Sequence, residues 1–306
     1  MVELSSRFKS WINAYGKVIS LVVTMLIGAL VPQANALSFM VQYLLMAMLF
    51  FAFLDIEINP KNFQKGVIWV LLANLAVAFL AYETFSRFSV DLGLAAFITA
   101  IAPTAISSTV IVSFIEGRVE FMVSAVLLTN IAMALVVPVV LPFVLGATIP
   151  ISTWDVLQPV LITMFVPLIL ARLAAHLPGE AQNAIRAGKK LSFPLWIANL
   201  FIISAKASDF VIHENSGSLI VLGQIALVSL IICAVNFAIG ALLGGRSYWQ
   251  ESSQALGQKN NSFSIWIALT FISPLAAMGP TFYVLYHNLY NTWQIYRFEK
   301  RNKEIL

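Results

Sequence analysis

The sequence predicts an all-α integral membrane protein. Three observations carry that prediction: the composition, the length of the uncharged runs, and the placement of the lysines and arginines. Hydrophobic residues make up 60% of the 306 and charged ones 10%, where soluble globular chains run at about 45–50% and about 25%. A surface in contact with water needs roughly a quarter to a third of its residues charged. This chain cannot cover itself that way, so its solvent is largely lipid. A disordered chain, a nucleic-acid binder and a soluble enzyme are excluded at this step. The net charge of +4 fits basic residues held on the cytoplasmic side of a membrane and no nucleic-acid partner.

A membrane helix needs about 20 mostly apolar residues. Reading between polar breaks gives ten spans: 15–32, 37–54, 66–84, 90–115, 119–146, 154–175, 191–211, 217–244, 248–272 and 277–297. No segment alternates strictly, so a barrel of ten-residue strands does not fit. The first span admits a second reading. Arg7 and Lys9 precede it and Ala34-Asn35-Ala36 resembles a signal-peptidase site, and cleavage there leaves nine spans. The long charged leader and Pro32, which ends a run of spanning length, favour an uncleaved span. With ten spans and both termini on one side, fifteen lysines and arginines share that side, and only Arg87 and Lys206 lie opposite. That bias puts both termini in the cytoplasm, most naturally of a bacterial inner membrane. The lone cysteine, Cys233, lies in an apolar run; it forms no internal disulfide and reads as a small core residue.

The longest loop, 176–190, mixes His176, Glu180, Arg186, Lys189 and Lys190 with Leu177, Ala184 and Ile185. It reads as a short amphipathic helix on the inner surface. It also separates two halves of five spans, divided for domain purposes at 1–146 and 147–306. Spans three and eight start about 150 residues apart, which aligns Asn74 with Gln224 and the polar break in span four with that in span nine. Five spans per half is odd, so the second half is inverted relative to the first. Inverted repeats with discontinuous helices are a signature of secondary transporters.

The first break is Pro103-Thr104-Ala105-Ile106-Ser107-Ser108-Thr109. A proline removes a backbone hydrogen bond, and in lipid the freed groups are tolerated where they line a cavity or pack on protein. The alternative is a simple kink whose hydroxyls bond back to the helix. The second break is Gly257-Gln258-Lys259-Asn260-Asn261-Ser262. If it lay at the surface, 261–272 would be too short to span, so it lies at depth. The two breaks are expected to unwind and cross.

Pro103 with Ser108-Thr109, and Gly257-x-x-Asn260, resemble motifs of the bile acid:sodium symporter family. The resemblance extends over nearly the whole chain through the ten spans, the five-plus-five repeat and the cytoplasmic termini. It implies a core of spans three to five and eight to ten moving against a panel of spans one, two, six and seven. The two broken helices would cross near the membrane centre. The chain departs from the family where sodium binds. The ligating Glu falls on Ala255, the Gln on Lys259, the fourth-span Asn on Thr109, and the fifth-span hydroxyls on Met122 and Val126. Coupling to sodium is therefore not expected; sodium-independent or proton-coupled movement is.

Lys259 carries the most information. A cation at mid-membrane depth costs several kcal/mol and marks a functional site. Two functional readings stand, a proton-exchanging group or a counter-charge for an anionic substrate, beside a structural one in which the ammonium permanently replaces a bound cation. Ser108, Thr109 and Asn260 are its expected acceptors. His287, in an unusually polar tenth span, is either a proton relay or a hydrogen-bonded packing residue. Thr129 and Asn130 share a helix face with Val126 and are candidates to reach the crossing.

The site expected from sequence thus comprises Pro103, Ser107, Ser108, Thr109, Thr129, Asn130, Gly257, Gln258, Lys259, Asn260, Asn261, Ser262 and His287. No metal ligand set and no cofactor is expected. The partners are a small organic anion and membrane lipid, and no oligomer is required. No Gly-x-Ser-x-Gly, intramembrane aspartate pair or His-Glu-x-x-His occurs, which argues against an enzyme. A channel or a sensor that retains a transporter fold is the remaining alternative.

Overall fold

The computed structural model describes residues 16, 19–54, 64–146, 151–214 and 219–305. The charged leader, Lys61 and the start of the first expected span lie outside the described residues. The described residues are 88% helical, with no strand among them. Among the described residues, five helical segments are long and apolar enough to cross a membrane, and four shorter apolar helices accompany them. It is an all-α membrane protein.

The helices are α1 (Ile19–Leu30), α2 (Met40–Phe53), α3 (Gly66–Phe85), α4 (Val90–Ile101), α5 (Ser108–Phe114), α6 (Val119–Leu145), α7 (Thr153–Ala174), α8 (Gly179–Ala187), α9 (Ser192–Glu214), α10 (Leu219–Gly257), α11 (Asn261–Phe271) and α12 (Pro274–Ile305). A 3₁₀ turn, Pro32–Leu37, follows α1, and another, Gly188–Leu191, joins α8 to α9. Local chemistry sets several ends. The Ser89 hydroxyl accepts from Leu92 N at 3.1 Å and starts α4. Ser152 and Asp155 form a reciprocal capping box at α7. The Asn260 side chain caps α11 through Phe263 N.

Burial follows helical spacing. On α2 the buried residues are Val41, Leu45, Leu49 and Phe53, one stripe at every fourth position. On α3 they are Val67, Val70, Asn74, Val77, Ala78 and Ala81. Large apolar side chains such as Leu30, Phe143, Leu219 and Leu242 point outward instead, as a lipid-facing surface requires. Among the packed pairs, α3 lies against α4 and α10, and α12 lies against α4, α10 and α11. Elsewhere α2 packs on α7 and α9, and α6 packs on α7. The helix α8 buries none of its residues.

The break between spans eight and nine falls where expected, and one alignment needs correction. Spans eight and nine, expected as helices separated at 245–247, are the two helical arms of α10, which meet at a sharp hinge there. Gly245 has φ +56°, and Tyr248 also leaves the helical region; the positive φ is one that glycine adopts without steric cost. Gln224, aligned with Asn74 by the offset of 150, is exposed. The buried amide of that arm is Asn236.

Candidate functional site

Helix α4 stops at Ile101 and α5 begins at Ser108; α10 stops at Gly257 and α11 begins at Asn261. The two unwound stretches lie antiparallel, paired at Thr104 and Lys259. Ala105 N donates to Gln258 O at 2.8 Å and Asn260 N donates to Pro103 O at 2.7 Å. Adding 155 to Pro103 and Ala105 gives Gln258 and Asn260, so the two bonds exchange with one another under that shift.

Breaking two helices inside apolar surroundings exposes backbone groups that must find partners. Neighbouring helices supply them. From α3, the Asn74 amide donates to Ile101 O and Ala102 O at 3.2 and 3.3 Å. From α6, the Thr129 hydroxyl accepts from Thr104 N at 3.0 Å, and Asn130 donates to Thr104 O at 2.9 Å. From α12, the Tyr283 hydroxyl donates to Gly257 O at 2.7 Å and accepts from Asn236 at 3.2 Å. The Thr104 hydroxyl donates to Ala255 O at 2.6 Å, so Ala255 contributes a carbonyl to the crossing. A Cβ on Gly257 would strike the Phe237 ring; the second break needs a residue without one.

Side chains alternate along an extended backbone, and the crossing accordingly has two faces. Lys259 turns inward, is 2% exposed, and donates from Nζ to Asn74 Oδ1. Its acceptor is an amide oxygen with no charge. This corrects the expected set. The Ser108 hydroxyl bonds back to Ala105 O at 2.6 Å, Thr109 bonds back to Ile106 O at 2.8 Å, and Asn260 caps α11. Those hydroxyls close the first turn of α5 and are not turned toward the ammonium. On the other face Gln258 donates to the Ser107 hydroxyl at 2.9 Å, beside the partly exposed Thr109, Asn260 and Ser262. Gln258 Oε1 is buried with no partner.

Pro103 is buried in the first break. The buried Asn261 side chain meets the His287 ring, Nδ2 to Nδ1 3.4 Å. His287 stands edge-on to Tyr283, with centroids 5.7 Å apart. Met122 and Val126 are buried apolar residues of α6; the hydroxyl on that helix that reaches the crossing is Thr129, one turn later. Asn130 Oδ1 is also without a partner, and Asn130 lines a small apolar cavity of about 20 Å³ between α6, α2 and α7.

Four residues of the crossing escaped the sequence reading of the site: Asn74, Thr104, Asn236 and Tyr283. A polar residue at helical spacing inside an apolar span was the available signal for Asn74 and Asn236. For Thr104 it was membership of the break itself. Among the described residues no group of three or more His, Cys, Asp or Glu side chains is placed to hold a metal. Cys233 is buried. No family model matches the chain, and no curated protein matches it.

Proposed function

We propose that this protein is a secondary transporter that moves a small organic anion across a bacterial inner membrane by alternating access, without a need for sodium. The observation that carries the reading is the crossing: two broken helices, joined through their unwound backbones, with a buried lysine at the junction. Discontinuous helices that meet in apolar surroundings are how transporters present backbone and side-chain polar groups to cargo. In this reading the chain has ten spans arranged as two inverted repeats of five. Two helices that stop and restart about 155 residues apart, one in each half, support that arrangement. So does the parallel between Asn74, which holds the end of α4, and Asn236 with Tyr283, which hold the end of α10.

The reading continues with a core of α3–α6 and α10–α12, which shifts against a panel of α1, α2, α7 and α9, with both termini cytoplasmic. This is the divergent bile acid:sodium symporter arrangement that the sequence resembles, with Lys259 taking the part of the cation. Protonated, it is a buried positive charge facing an uncharged amide, and such a charge is unfavourable unless compensated. Two events relieve it: loss of the proton during the cycle, or arrival of an anion. The partly exposed face at Ser107, Thr109 and Asn260, whose hydroxyl and amide groups can donate to an anion, is the place for cargo to arrive.

The test is uptake of a panel of small carboxylated metabolites into proteoliposomes, with sodium and proton gradients imposed separately. Saturable, gradient-driven accumulation supports the reading. Binding without flux would instead support a sensor on the same fold, a second reading favoured by the Lys259–Asn74 bond, which locks the junction if it never opens.

A further inference from the structure

The inward face of α12 carries a polar column that the crossing uses only at Tyr283. Tyr283, His287, Asn291 and Gln294 follow at intervals of four, four and three residues, and all are buried. That spacing keeps them on one helix face over about 16 Å of axis. The second arm of α10 runs antiparallel alongside. Gly257 O meets Tyr283, and three residues earlier Gln254 donates to Asn291 Oδ1 at 2.9 Å and to Gln294 Oε1 at 2.5 Å. From α11, Asn261 meets His287.

The column is not self-sufficient. Gln254 Oε1, Asn291 Nδ2, Gln294 Nε2, Asn261 Oδ1 and, one turn further along α11, Ser264 Oγ are all buried without a protein partner. Each such atom is costly if left bare, and five along one seam do not persist without a common partner. The partner must both donate and accept, since the bare atoms include two carbonyl oxygens and two amide nitrogens. Turning the three linked amides over exchanges their roles but still leaves both kinds. Water meets that requirement and binds buried polar groups with two to four such bonds.

We propose that the α10–α11–α12 seam holds a file of ordered water molecules, running from Gln294 past Asn291 and His287 to the Tyr283 hydroxyl. The file gives the crossing a polar connection to the end of α12, separate from the face at Ser107 and Gln258. It does not rest on the transport reading, because hydration of the seam is a property of the resting protein.

Radiolytic hydroxyl-radical labelling in H₂¹⁸O, applied to the full chain in lipid nanodiscs, tests it. Radicals born from bound water mark the side chains that touch it, however deeply buried. Tyr283 and His287 are expected to label several-fold more than Phe97 and Met133, which are equally buried among apolar neighbours. In Asn291→Leu/Gln294→Leu, where apolar side chains fill the seam, labelling of Tyr283 and His287 is expected to fall to the level of Phe97. Labelling of Tyr283 and His287 in the unaltered protein no greater than that of Phe97 and Met133 overturns the proposal, whatever the variant does.

Discussion

Lys259 and Asn74 are separated by 185 residues in sequence and joined in space. Asn74 has a double duty, since its Nδ2 holds Ile101 O and Ala102 O while its Oδ1 accepts from the ammonium. Asn74→Ala therefore strands two carbonyls and a cation at once. Each buried group left bare costs about 1–3 kcal/mol, so a clear loss of thermal stability in detergent is expected. In the Lys259→Met background the ammonium is already gone, so the second substitution is expected to cost less than it does alone. The coupling, on the order of 0.5–3 kcal/mol, is read from a double-mutant cycle of denaturation midpoints; strict additivity would show that the two side chains do not interact. Thr104→Val removes the donor to Ala255 O and is expected to cost about 1–3 kcal/mol by the same reasoning. A variant as stable as the parent would mean that bond contributes nothing.

The broken helices are the elements on which the site depends, and their interruptions were legible in the sequence for a physical reason. A mid-span proline and four consecutive polar side chains cannot continue a lipid-embedded helix without compensation. Which helices compensate was not legible. The offset of 150, counted from span starts, differs from the 155 that relates Thr104 to Lys259. Five residues turn a helix by about 140°, enough to carry Gln224 from an inward position to an exposed one. The shift of 155 takes Asn74 to Ser229, which is buried and donates to Gly279 O at 2.9 Å. The family resemblance puts the hydroxyls of Ser108 and Thr109 at a cation site and so leads one to expect them at the lysine. In fact they close the start of α5, the commoner use of a hydroxyl near a helix end. At this scale the sharpest prediction concerns Gly257. Gly257→Ala drives a methyl into the Phe237 ring, and overpacking of this kind costs about 1–3 kcal/mol. A lowered melting temperature is expected, with partial rescue by Phe237→Leu; a neutral Gly257→Ala would contradict the packing described.

For the whole molecule, composition alone settled the class. Burial then divides the polar residues into two populations. The column on α12 faces inward, which is why the tenth expected span is far more polar than a lipid-facing helix tolerates. The loop charges, by contrast, predict an orientation. Cysteines introduced at positions 185 and 303 in a Cys233→Ala background are expected to react with a membrane-impermeant thiol reagent only in inside-out vesicles. Labelling of position 303 in intact cells would reverse the topology and with it the proposed direction of the two repeats.

The central claim is that a lysine does at this crossing what a bound cation does elsewhere. The most direct measurement is substrate uptake into proteoliposomes with sodium absent on both sides, comparing the unaltered protein with Lys259→Ala. Saturable sodium-free uptake is expected of the former and none of the latter, although the variant inserts into the membrane as well as the parent does. If the lysine exchanges its proton, an imposed proton gradient changes the rate; if it receives an anion, substrate affinity is lost with the charge. Undiminished uptake by Lys259→Ala, or a strict sodium requirement in the unaltered protein, would contradict the claim.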